Sequence, residues 1–461
     1  MRSGLSKFDS PFYFAGSEKS CPIYGCFTQK NEARASLSGQ AQLCYSAYGS
    51  LHRQMRKAYF NNSMIKKRMT KSVQTITVLA AALLLSASAA SALEIKSGSD
   101  KVQLQLSGEV NRAVMYADDG HQNKFFHVDN SNSESRIGLS GEVSASDCLT
   151  VGSNIEMKWQ DNPSHAVSMQ EESIGGEFVQ ELVELYFDRN NFGKLSVGFG
   201  GMASDGCSEV DLSGTDLIGN AGVADVGGGL FFYDASTGSY NNEEEGGTTV
   251  SDVFKRHCCD LFNRITADGL GKRNRLRYDT PEFAGFSIAV AAGEQESYDV
   301  ALNYSGEFNG WQMEAMAAWM QPGGSADQDC GHGDYTQMNA SVSVLFDFGL
   351  NLTAGYGHRE VDTLPLNGED PEFVYGKIGY KLGQLFSVGA TAVSVDYGVY
   401  KNSDNQIIDE EGTATGIQLV QELSDYSTDL FAGYRLFSLE DNTGADYEDI
   451  SIIMAGAKFS F

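Results

Sequence analysis

From Lys101 to the last residue, apolar side chains recur at every second position, the spacing that sends neighbours to opposite faces of a β-strand. In Lys101–Ser107, Val102, Leu104 and Leu106 oppose Gln103, Gln105 and Ser107. In Gln337–Phe346, Met338, Ala340, Val342, Val344 and Phe346 oppose Gln337, Asn339, Ser341 and Ser343. At the C-terminus Ile453, Ala455, Ala457, Phe459 and Phe461 share one face. Each segment thus has one apolar side and one side of small or polar residues.

The links between segments alternate in length. Short ones fall at Ser144–Asp147, Asn190–Gly193, Pro281–Gly285, Phe308–Gly310, Phe348–Gly349, Gly383–Gln384 and Ser424–Asp425. Longer polar stretches lie at about 117–132, 161–175, 201–271, 294–297, 321–334, 361–372, 397–412 and 440–446. Seven short and eight long links imply sixteen strands. An even count with turns at one end and loops at the other predicts an all-β fold, a closed antiparallel transmembrane β-barrel.

A soluble β-sandwich or propeller can be built from similar segments, with the apolar side turned into a dry core. Three features favour an apolar side turned to lipid. The opposing side is rich in Gly, Ser and Gln, as suits a wet interior. Aromatics gather near expected strand ends, at Tyr186, Phe187, Tyr278, Phe308, Trp311 and Trp319, as in interfacial girdles. The chain also stops on an aromatic inside a strand, Phe461, where a soluble domain would fray.

Charge divides the chain at one point. Residues 1–92 hold 12 Lys and Arg against 3 Asp and Glu, so 93–461 hold 21 against 58, a net of −37 within a total of −28. At the boundary the basic stretch Met64–Lys71 leads into an apolar run ending at Leu85, then Ser86–Ala92 with small residues at Ala90 and Ala92. That order is a secretory signal peptide spanning 64–92, cleaved after Ala92. Some sixty residues precede it, which points to a mis-assigned start, with translation from Met64 or Met69 and 1–63 a disordered upstream extension; a genuine targeting extension is the alternative. The acidity speaks against a nucleic-acid partner. A hydrophobic share of 41% and aromatic share of 11% exclude overall disorder. No apolar run reaches the length of a membrane-spanning helix.

Four short segments carry a family resemblance: Ser135–Gly141 (SRIGLSG), Phe192–Gly198 (FGKLSVG), Arg275–Pro281 (RLRYDTP) and Ala457–Phe461 (AKFSF). In order and spacing they resemble a Gram-negative outer-membrane porin of the general diffusion type, over essentially the whole of 93–461. The resemblance implies a homotrimer of water-filled sixteen-stranded barrels in outer-membrane lipid and lipopolysaccharide, passing small hydrophilic solutes. It also implies recognition of the terminal Phe461 by the barrel assembly machinery. A long third loop, here 201–271, would fold into the lumen as the constriction.

That stretch holds twelve acids and three bases. Glu209, Asp211 and Asp216 are the expected pore-facing carboxylates; Glu243, Glu244 and Glu245 suit an external part of the loop. Strand parity nominates the opposing bases on the wall: Arg136 against Ile137 and Leu139, Arg273, Arg275 and Arg277 against Leu276 and Tyr278, Lys377 and Lys381 against Ile378 and Tyr380, and Arg435 against Tyr434 and Leu436. On the lipid face a charge costs about 2–4 kcal/mol at the midplane, so the lumen is the favoured side; placement at a rim is the alternative. Opposed charges across a constriction set a transverse field, and the acidic balance suggests mild cation preference.

Five cysteines follow the leader: Cys148, Cys207, Cys258, Cys259 and Cys330. A link from Cys207 to Cys258 or Cys259 would pin the third loop. His257-Cys258-Cys259 lacks the spacing of a metal site, and no cofactor is expected. Motifs of serine hydrolases, zinc proteases and phosphate-binding loops are absent from the sequence, so no enzyme is expected. A solute-specific channel and a structural or adhesive outer-membrane protein remain competitors.

Overall fold

The computed structural model describes residues 93–96, 102–240, 247–254, 256–258, 263–265, 269–323, 335–361, 369–383, 385–403 and 409–461. The expected extension and signal peptide lie outside these residues, as do Glu243–Glu245, Cys259 and Cys330. The described residues belong to one compact unit, Ala87–Phe461.

The chain begins with β1 (Leu93–Lys96), β2 (Val102–Asp118), β3 (Asn123–Asp129), β4 (Arg136–Ser146), β5 (Leu149–Gln160), β6 (Glu177–Arg189) and β7 (Gly193–Gly201). A long segment follows, with a short helix α1 (Val250–Phe254) and the paired strands β8 (Arg256–Cys258) and β9 (Asn263–Ile265). The wall resumes with β10 (Lys272–Asp279), β11 (Phe286–Gly293), β12 (Tyr298–Phe308), β13 (Trp311–Gln321), β14 (Tyr335–Leu345) and β15 (Leu350–Val361). It ends with β16 (Glu372–Lys381), β17 (Thr391–Lys401), β18 (Glu411–Leu423), β19 (Thr428–Glu440) and β20 (Ile450–Ser460).

Every wall strand pairs antiparallel with its neighbours, and β20 pairs back onto β2 from Glu109↔Ser460 to Asp118↔Ser451, which closes the barrel. Strands β3 and β4 lie end to end on one edge of β2, at Arg112↔Asp129 and Glu109↔Arg136, separated by residues 130–135. Counted as one, they bring the wall to the expected sixteen strands. On the other edge of β2, β1 continues the line of β20.

The alternation works as the sequence requires. Outward positions such as Ile137, Ile155, Leu302, Val395 and Ile417 are among the exposed large hydrophobics, a band suited to lipid, which needs no water-soluble surface and no open sheet edge. Phe187, Tyr278, Phe308 and Trp311 belong to the exposed set. Tyr186 takes the opposite parity, where its hydroxyl donates to Glu142 at 3.1 Å.

Two links depart from expectation. The stretch 117–132 contains strand β3, because Asp118 and Asp119 carboxylates accept the amides of Gly120 and Gln122 at 3.1 and 2.7 Å and close a turn of four residues. Gly120 sits there at φ +85°, which a side chain would resist. The link expected at Gly383–Gln384 instead spans 382–390, where exposed Leu385 and Phe386 imitate strand residues.

A larger departure concerns the inner face. Along β19, β20, β2 and β3 it is apolar: Phe431, Phe437, Ile450, Ile452, Met454, Met115 and Phe126 are buried. They form one core with Leu217, Ile218, Leu230, Phe232, Val253 and Phe254 of the third long segment. The chain is greasy on both sides here because one side meets the surroundings and the other is covered by that segment.

Candidate functional site

The segment after β7 runs along the inner wall, held by small polar side chains spaced along successive strands. The Asp299 carboxylate on β12 accepts the amides of Ala203 and Ser204 at 3.1 and 2.8 Å and the Ser204 hydroxyl at 2.6 Å. On β14, Ser341 and Ser343 hydroxyls accept the amides of Val210 and Leu212 at 3.2 and 2.9 Å. Thr215 and Ser394 hydroxyls meet at 2.6 Å, and Tyr400 donates to the Ala221 carbonyl at 2.8 Å. From the kink between β3 and β4, Asn130 Nδ2 donates to the Leu217 carbonyl at 2.7 Å. A backbone that leaves water must find partners, and these inward Ser, Thr and Asn residues supply them. Part of the polar inner face expected to line water is therefore a docking track for the segment.

One expected acid and one expected base meet directly. Lys377 Nζ on β16 donates to Asp211 Oδ2 and to the Gly219 carbonyl, each at 2.6 Å, with side-chain exposures of 0% and 3% for the lysine and aspartate. Arg435 on β19 makes a two-pronged contact with Asp396, whose Oδ2 also accepts Tyr375 at 3.0 Å and Gln418 at 2.6 Å. The segment passes over this knot so closely that a Cβ on Gly219 would lie 2.7 Å from Arg435 Nη2.

The other bases take acids or carbonyls from nearby strands. Arg275 reaches Glu184 on β6 and the Gly201 carbonyl at 3.1 Å. Arg277 reaches Asp279 and the Met202 carbonyl at 2.7 Å, and Arg273 the Pro322 carbonyl at 3.0 Å. Arg136 stands between Glu109 at 3.2 Å and Glu156 at 3.1 Å. Lys381 is half-buried, its Cε 3.0 Å from where a Cβ on Gly214 would sit. Glu209 is half-buried with Oε1 close over Gly222, and Asp216 is exposed.

Strand parity also contains a feature that the choice of bases alone overlooks. Two chains of ion pairs cross the wall: Asp429–Lys458–Glu109–Arg136–Glu156, and Glu134–Lys158–Glu181–Lys272. Lys458 alternates with Ala457 and Phe459, Lys158 with Met157 and Trp159, and Glu109 precedes Val110, so the alternation used for the arginines would have placed them. Glu181 is the extra residue at a bulge where Met157 pairs with Gln180 and Glu156 with Leu182. These chains carry five carboxylates against four cations.

Within the segment, Cys207 is a buried free thiol that donates to the Asn339 carbonyl at 3.2 Å, and burial pushes its pKa up to about 12. Asp234 ties the segment to the last link. Burial alone would raise its carboxyl, but the Ser236 hydroxyl, the Asp446 and Ser236 amides and the Thr237 hydroxyl outweigh that and bring it down to about 2. Among the described residues no group of three or more His, Cys, Asp or Glu is arranged to hold a metal ion.

The sequence profile of a family described as Gram-negative porin matches residues 76–442. No curated protein matches the chain. Among solved structures, an anion-selective porin from Comamonas acidovorans aligns at 15% identity and a TM-score of 0.50, covering 78% of this chain and 100% of that one. OmpT of Vibrio cholerae aligns at 14% identity, covering 80% of this chain and 99% of that one, with a TM-score of 0.49. OmpF of Salmonella typhi, in complex with daunomycin, aligns at 13%, covering 80% and 100%, also with a TM-score of 0.49. At these identities the likeness is one of fold. The profile match spans most of the closed sixteen-stranded wall, and on that ground the chain belongs to the Gram-negative porin family, whose members are outer-membrane channels for passive diffusion.

Proposed function

We propose that the barrel is a general diffusion channel for small hydrophilic solutes and ions, with mild cation preference, working as a homotrimer in outer-membrane lipid and lipopolysaccharide. In this reading residues 64–92 direct export, Phe461 is the signal to the assembly machinery, and the chain has no catalytic role. The narrow part of the pore lies between the third segment, with Glu209 and Asp216, and the wall, with Arg136, Lys381 and the ion-pair chains.

One observation carries the cation preference. The wall cations that would draw anions are spent: Lys377, Arg435 and Arg275 are 0–4% exposed and each is matched to a carboxylate. What remains toward water includes exposed Asp216 and pair chains with one more acid than base. A low-dielectric wall focuses such an imbalance on passing ions. Reversal potentials across a KCl gradient test it: a potential on the potassium side supports the proposal, and one on the chloride side, as the name of the Comamonas protein would suggest for that porin, overturns it.

A second reading has support in the apolar core that the segment builds against β19, β20, β2 and β3. A lumen closed by that core would serve a structural or adhesive role. Swelling of liposomes in small sugars separates the two, since only an open pore admits them, and admission of a single sugar would favour a solute-specific channel.

A further inference from the structure

The short turns mark the periplasmic end of such a barrel. There Asp188, Lys194 and Asp279 stand side by side on β6, β7 and β10, in the register Asp188↔Lys194↔Asp279. Phe187, Leu195 and Tyr278 beside them are exposed on the outward face, so alternation turns all three charges to the inner side. Unlike charges directly opposed on neighbouring strands ordinarily pair. Here the lysine takes neither carboxylate. Arg277 holds Asp279, with Nε 3.0 Å and Nη2 2.8 Å from Oδ1. Lys194 lays its ammonium over the Tyr186 ring, 4.4 Å from the centroid. Among the described residues Asp188 and Lys194 form no ion pair.

Between these groups lies a cavity of about 210 Å³, lined by the same three residues together with Arg189, Asn190 and Asn191. Its frame is tied on both sides. The Tyr278 hydroxyl donates to the Phe192 carbonyl and joins β10 to the turn between β6 and β7. Gly193 sits at φ +94° so close to β10 that a Cβ would lie 2.1 Å from the Asp279 carbonyl oxygen. The Asn190 amide donates to the Cys148 carbonyl at 3.1 Å, and the Arg189 guanidinium stacks over Phe192 at 4.5 Å. A cavity framed by backbone in this way needs little ordering when it takes a ligand.

We propose that this cavity binds α-amino carboxylates, with the carboxylate toward Lys194 and Arg189 and the ammonium toward Asp188. A simple anion would meet Asp188 and Asp279, and a simple cation would meet Lys194 and Arg189. A ligand with both signs a few atoms apart matches both. The lining side chains are half-buried or exposed, so water and salt screen the attraction and binding is weak and reversible. Two sources share this chemistry: a free amino acid leaving the pore, and the free amino carboxylate of a cell-wall stem peptide in the periplasm. The site lies apart from the constriction and goes beyond the diffusion reading.

The test is saturation-transfer NMR of L-alanine with the purified protein in detergent micelles. Alanine should bind, and alaninamide and N-acetylalanine, each short of one charge, should bind at least about tenfold more weakly. Asp188→Asn and Lys194→Met should each weaken alanine binding by a similar factor while heat-modifiable migration reports a folded barrel, and Lys194→Arg should retain it. Equal binding of the three ligands, alanine binding unchanged in both charge-removing variants, or no alanine binding would overturn the proposal. Co-sedimentation with purified peptidoglycan sacculi separates the sources. Retention that excess alanine releases and Asp188→Asn abolishes supports the stem peptide; alanine binding without retention supports a passing solute. Conductance is not read in this experiment, so the diffusion reading stands or falls separately.

Discussion

Lys377 holds Asp211 at 2.6 Å in a contact that solvent does not reach, joining strand β16 to a segment 166 residues earlier in the chain. The contact fixes the third segment to the wall at the point where its backbone also binds Gly219 to the same amine. A buried pair adds little net stability over an apolar one, yet removing one partner strands the other.

Asp211→Asn or Lys377→Met should therefore loosen the segment at a cost of about 3–5 kcal/mol. The barrel should still form, and single-channel records should show added flicker and faster protease cleavage between residues 203 and 222. Replacing both residues, Lys377→Met with Asp211→Leu, should recover most of the loss.

The outer end of the segment should respond to acid through Asp234. Its folded pKa of about 2 lies below the ordinary value of about 3.9. Folding thus favours the carboxylate, and its contribution is complete above about pH 4 and fades as pH falls through 2. Hydrogen exchange at Gly238 and Asp446 should quicken across that window, and Asp234→Asn should remove the pH dependence.

The ion-pair chain through Arg136 should tune selectivity in opposite directions. Arg136→Gln leaves Glu109 and Glu156 without their shared cation and should shift the reversal potential further toward potassium. Glu109→Gln removes the carboxylate that Arg136 and Lys458 share and should shift it toward chloride. Shifts of the same sign in both variants would mean that these groups do not face the conducting path.

Gly198 in β7 should tolerate no side chain. At φ +124° its Cβ would lie 2.3 Å from the Val183 carbonyl, so Gly198→Ala should cost about 1–3 kcal/mol of local strain. A lowered temperature of heat-modifiable migration would register it.

The wall was legible because the outward face has a single requirement, contact with hydrocarbon, which writes a period of two into almost every strand. The alternation also separates Arg136, Arg275, Lys377 and Arg435 from the apolar residues of their strands, as expected where an unpaired charge on the lipid face would be costly. Their partners were not legible. Asp396 meets Arg435 across 39 residues, and which acid stands across from which base depends on register and on the path of the third segment. The same holds for Ser341 and Ser343, which look like water-lining residues until a backbone is laid over them. Strand β3 was hidden by the turn residues around it, whose Asp and Gly content spreads a loop signal over a hairpin.

The account depends on outward-facing apolar strands enclosing a continuous watery path past the third segment. Single-channel recording of the purified protein in a planar bilayer tests this directly. Stepwise, nearly linear currents that scale with salt are predicted, and a folded, inserted barrel that passes no current would contradict it.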